Sequence, residues 1–314
     1  MTFDNHFWDE KKKAIMLVRA KILEAARNWF KEHDFIEVHG PIIIPALSEH
    51  SGSIEVKILD MEGYLAQGLQ PYAEVFVSKL GKIYTIAPSF RAERVMTNRH
   101  LIEYWRIEAE LPNSGLDDLM KVQERLVSYI CHVLVKEAKE ELELLNRDVM
   151  NLKKIDVPFL RLTYDDAIEI LQKDGFDIQW GATFDWEQEK HLSLRFSKPF
   201  FISDFPINVE NFFFESNPER PELSLTVDLF APEGYGEISS GGQPTFKIEE
   251  ILRKMRDEKI ERSIQKWYVN LKSVCSVPYS GFSMGIERIT QWICKLMHIK
   301  EAAAFPRLIS KIYP

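Results

Sequence analysis

The chain has 314 residues, 45% of them apolar, and a net charge of −8. That is enough chain for one large buried core, while the longest apolar runs fall well short of the roughly 18 residues of a membrane span. No basic-then-apolar leader opens the sequence and no basic face for a polyanion stands out, so the expectation is a cytoplasmic protein with no membrane partner.

In chain order, Ile15, Val18, Ile22, Ala25 and Trp29 recur every three or four positions and predict an amphipathic helix. The runs Lys11 to Lys13 and Lys136 to Glu143 read as solvated helix faces. A short apolar stretch, Ile36 to Val38 and Pro41 to Ile44, follows the first helix. Between Ile83 and Ile86, and again from Ile102 to Leu111, apolar residues recur without helical period, predicting two strands joined by a loop from Arg94 to Asn98. Leu119, Val122, Leu126, Ile130 and Val133 mark a second helix, from about Ser114 to Leu145. Strands are expected at Phe200 to Ser203, Val209 to Phe214, Leu223 to Leu229 and Gly236 to Ser240. The predicted fold is α/β (α+β), a mixed, mainly antiparallel sheet flanked by helices in a single domain over 1–314. Cys131, Cys275 and Cys294 have no C-x-x-C spacing and read as buried thiols.

The chemistry concentrates in Phe90-Arg91-Ala92-Glu93, Arg99-His100-Leu101 and Glu103-Tyr104, with a further arginine in Gly281-Phe-Ser-Met-Gly-Ile-Glu-Arg288. Arginine forks match phosphate oxygens, and alternation along a strand puts Arg91 and Glu93 on one face. Tyr104 offers a flat surface for a base, which Arg288 can cover from the other side. Each residue alone also fits a solvated hairpin; the conjunction points to nucleotide binding.

These residues resemble the catalytic domain of class II aminoacyl-tRNA synthetases of the aspartyl/asparaginyl subgroup. Phe35 to Ile44 is similar to the family's first motif, Phe90 to Leu111 to its second and Gly281 to Arg288 to its third. The end of the chain, Phe305 to Pro314, is similar to an asparaginyl enzyme's end. The resemblance implies a homodimer built on the first helix and strand, and ATP with Mg²⁺ as cofactors. It gives Arg91 the α-phosphate and substrate carboxylate, Arg99 and His100 the γ-phosphate, and Tyr104 and Arg288 the adenine; Glu93 and Leu101 belong to the same ATP site. Arg91 and Arg288 are the expected catalytic residues. Asp228 and Glu237 resemble the metal carboxylates, as hard oxygen ligands suited to Mg²⁺.

For the amino acid, the resemblance implies Glu49 and Gln70 at the α-ammonium group and Glu74, Glu108 and Ser283 around the side chain. The pattern departs from the family at three positions. Pro244 stands where an arginine normally holds the side-chain oxygen, Ser283 where glycine is expected, and Tyr279 where asparaginyl enzymes have histidine. Ala73 followed by Glu74 is the asparaginyl pattern. With no cation at 73 or 244, a substrate carboxylate would be an uncompensated buried charge unless another cation, such as Lys247, moved in. Glu74 is expected to be available to a substrate amine or amide N–H.

The family's anticodon-binding barrel has no room before the first helix, and with the acidic charge this leads to the expectation that tRNA is an unlikely partner. The resulting reading is an adenylate-forming ligase that transfers the acyl group to ammonia or another small acceptor, as in archaeal asparagine synthetases related to these enzymes. Its alternatives are tRNA charging without an anticodon domain and a non-catalytic regulatory paralogue.

Overall fold

The computed structural model describes residues 8–45, 52–70, 72–92, 98–209, 213–257, 262–274 and 277–312. Its centre is an eight-stranded sheet in the order β1 (Ile36–Glu37), β5 (Ile83–Phe90), β6 (Glu103–Pro112), β11 (Tyr279–Gly285), β10 (Gly236–Gly242), β9 (Thr226–Ala231), β8 (Phe200–Ser203), β7 (Leu160–Thr163). Only the edge pairs β1/β5 and β7/β8 are parallel. A separate three-stranded sheet joins β2 (Ile43–Ile44), β4 (Met61–Leu65) and β3 (Glu55–Ile58).

Alternation splits the sheet into two unlike faces. Tyr84, Ile86, Ile107, Ala109, Phe282, Met284, Val227 and Leu229 point one way, into the main core beneath three helices: α1 (Glu10–Glu32), α3 (Leu116–Glu137) and α10 (Ile286–Ile293). α1 forms because Ile15, Val18, Ile22, Ala25 and Trp29 make a continuous buried stripe, and Asp9 caps its first turn by accepting from Lys12 N at 2.7 Å. Cys131 and Cys294 are buried in this layer, where burial pushes both thiols up to about 12. Cys275 lies outside the described residues.

The other face carries Tyr104, Arg106, Glu108 and Glu110 on β6, Gly281 and Ser283 on β11, and Ser240 and Asp228 on β10 and β9. The register aligns Glu108 with Ser283, Ser283 with Ser240, and Ser240 with Asp228. At one edge this face is covered by α2 (Ala73–Leu80), whose Ala73 and Val77 pack on Ile83 and Tyr279. At the other edge lie α6 (Tyr164–Lys173) and α7 (Trp186–Leu194), over Phe200, Ile202 and Phe230. The middle of the face is therefore a trough floored by polar side chains. A helical pair, α8 (Ile248–Asp257) and α9 (Arg262–Lys272), closes the end next to α2, with Trp267 against Tyr72 at 5.9 Å between ring centroids.

Two expected elements differ. The helix expected to reach Leu145 breaks at Ala138, and α4 (Lys139–Leu144) turns so that Leu142 and Leu145 join the core beside α1. Val209 to Phe214 is not a strand at its described residues. Val209 N closes a turn on Pro206 O, and Phe214 makes one bridge to Pro244, because the aromatic residues here serve as packing for α9: Phe213 lies 5.4 Å from the Tyr268 ring.

Candidate active site

The β5/β6 hairpin aligns Ser89 with Tyr104, so Arg91 continues the trough face just beyond the strand; its backbone N–H donates to Ile102 O at 3.0 Å. Glu93 and Glu49 lie outside the described residues. Arg106 shares the face two residues past Tyr104, with its guanidinium 5.2 Å from the Tyr104 ring and Nη2 donating to the Tyr104 hydroxyl at 2.8 Å. Leu101 is buried and His100 exposed.

Across the trough, β11 runs straight into α10 and delivers Arg288 to its first turn. Arg288 Nη1 lies 2.7 Å from Glu237 Oε1. Glu237 sits at an irregularity in the β9/β10 pairing, after Gly236 at φ +70°. A Cβ on Gly236 would come within 2.6 Å of Glu189 Oε2, which is why glycine is required there. Arg99 is buried under this bend: it donates to Glu189 on α7 and to Glu237 O, and stacks on Trp186 at 4.7 Å. Glu189 also accepts from Glu237 N at 3.1 Å. Burial opposes ionisation of Glu237, yet Arg288 and Arg99 outweigh it and hold the carboxyl below the usual range. Burial likewise opposes the Arg288 charge, and Glu237 and Glu189 more than offset it. By register Asp228 shares this face with Glu237. No cluster of three or more metal-ligating side chains occurs among the described residues, so these two carboxylates suit only an ion that keeps most of its ligands as water or phosphate oxygens.

The other end of the trough is a set of buried acids. Glu108 accepts from Leu69 N at 3.0 and 3.2 Å, and Glu110 Oε1 accepts from Gln70 Nε2 at 3.3 Å. Gln70 is joined at 3.2 Å to the Tyr279 hydroxyl, so the tyrosine in the family's histidine position serves as its hydrogen-bond partner. Glu110 Oε2 lies directly above Gly281; a Cβ there would come within 1.7 Å of it. Burial, then Glu108, pushes the Glu110 carboxyl well up, and Gln70 only partly opposes this. Ser283 is half-buried on the trough floor opposite Glu108.

Glu74 corrects the reading from sequence. Both of its carboxylate oxygens are already engaged within the chain. Lys272 Nζ lies 2.7 Å from Glu74 Oε2, the two side chains being 2% and 1% exposed, and the Tyr268 hydroxyl donates to Oε1 at 2.7 Å. The buried cation at this end of the trough is Lys272, on the last turn of α9, while Lys247 is exposed. Pro244 is buried and bridged to Phe214, with no side-chain donor to give. Sequence reasoning also passed over Arg106 and Glu110, which strand alternation with Tyr104 and Glu108 makes readable, and Glu189 and Lys272, which carry no local signal: a lysine ending a helix reads as a solvated complement to the helix dipole.

A family model described as tRNA synthetases class II (D, K and N) matches residues 5–309. The chain belongs to this family. The asparagine–tRNA ligase of Pelotomaculum thermopropionicum is 38% identical over 98% of this chain and 73% of its own length, and that of Pyrococcus furiosus 38% over 98% and 71%. The crystal structure of asparaginyl-tRNA synthetase from Pyrococcus horikoshii complexed with asparaginyl-adenylate superposes with a TM-score of 0.94 at 38% identity, over 97% of this chain and 70% of that one. The family member described here is thus an ATP-dependent, aminoacyl-adenylate-forming ligase similar to asparaginyl enzymes.

These relatives overturn the expectation that tRNA is an unlikely partner, since they are ligases that join asparagine to tRNA. That expectation misled for a physical reason. Net charge is a property of the whole surface and says little about one tRNA-facing patch. Transfer to ammonia finds no support among the relatives.

Proposed function

We propose that the protein activates asparagine with ATP and passes the asparaginyl group to tRNA. The observation that carries this is the division of one sheet face into a guanidinium end, Arg91 and Arg288, and a buried acid end, Gln70, Glu108 and Glu110, on a core matching asparaginyl enzymes over nearly its whole length.

On this reading the amino acid's carboxylate oxygen attacks the α-phosphorus in line and pyrophosphate leaves. A terminal hydroxyl of tRNA then attacks the acyl carbon, and AMP departs. No covalent nucleophile is needed, so positioning and charge neutralisation supply the rate. Arg91 holds the α-phosphate and the carboxylate. Tyr104 and Arg288 take the adenine on its two sides, while Arg99, exposed His100 and the adjoining Leu101 and Glu93 serve the rest of the nucleotide. Gln70, with Glu49, binds the α-ammonium group through acceptor oxygens. Asp228 and Glu237 would hold Mg²⁺, the held-down carboxyl of Glu237 being suited to a hard cation; bound there, the ion supplies charge neutralisation at the phosphates. The site of action is the cytoplasm, and among the described residues no helix is long and apolar enough to cross a membrane.

The test is ATP–pyrophosphate exchange with asparagine, followed by transfer of labelled asparagine to total tRNA. Exchange and acid-precipitable label on tRNA are expected. Exchange without any label would overturn tRNA as acceptor, and no exchange with any amino acid would overturn activation.

A further inference from the structure

The acid end of the trough holds two buried polar atoms whose hydrogen-bonding capacity the described residues leave unused. One is a donor. Lys272 Nζ is ion-paired with Glu74 but makes no aligned hydrogen bond among the described residues, and an ammonium carries three N–H groups. The other is an acceptor, Glu110 Oε2, which lies over Gly281 with no hydrogen-bond partner among the described residues. Both belong to one constellation around Tyr279. The ammonium is 5.8 Å from the Tyr279 ring centroid, and Glu110 is linked to the Tyr279 hydroxyl through Gln70 Nε2.

Buried polar atoms without partners are costly, and a ligand that pairs with both recovers that cost. A primary carboxamide has one carbonyl acceptor and one NH₂ donor on the same carbon. A carboxylate has only acceptors and offers Glu110 Oε2 no donor. A protonated amine has only donors and would face Lys272 as a like charge. We propose that Lys272 is a specificity-determining residue which donates to the substrate's side-chain carbonyl, while Glu110 accepts from its NH₂ group. This rests on the adenylation reading above and assigns its substrate class as a side-chain carboxamide. Glu74 and Tyr268 then act as positioning residues: they neutralise and orient Lys272 so that its charge does not attract a carboxylate.

The experiment compares the wild-type chain with Lys272→Met/Glu74→Gln. This double variant removes both charges of the buried pair together, keeps an acceptor for Tyr268, and so avoids stranding a buried carboxylate. In pyrophosphate exchange the wild type is expected to favour asparagine over aspartate by about a hundredfold or more, the scale at which a site built for hydrogen bonds rejects a mismatched analogue. The double variant is expected to lose about a hundredfold in kcat/KM for asparagine, mainly through KM, while KM for ATP stays within about twofold; a purely structural role would not move the asparagine to aspartate ratio in this selective way. An unchanged ratio in the double variant, or a wild type that prefers aspartate or an amine-bearing amino acid, overturns the assignment. Calorimetry of asparagine binding separates this from the function itself. Binding by the wild type and not by the variant supports the assignment even if exchange fails and the adenylation reading falls with it. No binding by the wild type overturns it.

Discussion

On the proposed roles, Arg91 meets the α-phosphate through charge-assisted contacts that strengthen as negative charge builds on the transferring group, and Arg288 fixes the adenine that positions it. Such contacts contribute about 3 kcal/mol or more, so Arg91→Ala and Arg288→Ala are each expected to slow pyrophosphate exchange by at least about a hundredfold. Near-normal exchange in either variant would remove that residue from the active site. Glu110 provides a second test at this scale. Burial, Glu108 and Glu74 raise its folded-state pKa above the ordinary 4.5, while Gln70 opposes them. A raised carboxyl binds its proton more tightly when folded, so it contributes stability that is fully present below 4.5 and lost as pH rises through the folded value. Glu110→Gln lacks this dependence. Urea titrations are expected to find the wild type losing stability relative to the variant as pH rises above 4.5, and a pH-independent difference would contradict it. What the sequence made legible at this scale follows a rule. Arg91, Tyr104 and Glu108 sit on one hairpin, where alternation fixes facing, whereas Tyr268 reaches Glu74 across 194 positions of sequence that no local pattern spans.

At the scale of elements, α1, the β5/β6 hairpin, β8 and β10 were readable because each carries its own period. The break at Ala138 was not, since it depends on where Leu142 and Leu145 find core to enter. The fold of the candidate site also depends on an anchor far from it. Arg147, 2% exposed beyond α4, makes a two-pronged pair with Glu233 at 2.8 and 2.7 Å in the turn between β9 and β10, and Trp292 Nε1 donates to the same carboxylate at 3.2 Å. This turn leads directly to Gly236 and Glu237. Arg147→Met strands the partly buried carboxylate and is expected to cost about 3 to 5 kcal/mol in urea unfolding. A loss below about 1 kcal/mol would mean that the turn is held by other contacts.

At the scale of the whole molecule, Ile36, Ile42 and Ile43 remain 45 to 48% exposed along the first motif, an apolar edge next to the parallel pair β1/β5. A two-fold partner covering this edge accounts for it. The expected outcome is a homodimer by light scattering at micromolar concentration, converted to a monomer by Ile43→Asp; a wild-type monomer would contradict the assembly. Net charge gave poor guidance here because −8 spread over the entire surface does not describe any one patch of it.

The Arg288–Glu237 pair has a consequence for how the nucleotide arrives. Each member is the other's ion-pair partner, so on the proposed roles a base that draws Arg288 away leaves Glu237 with the charge of Arg99, and a cation that claims Glu237 leaves Arg288 without its ion pair. Neither guest gains much by entering alone. Arriving together they replace one partnership with two, so the proposed roles favour a nucleotide that brings its own counter-ion over either guest alone.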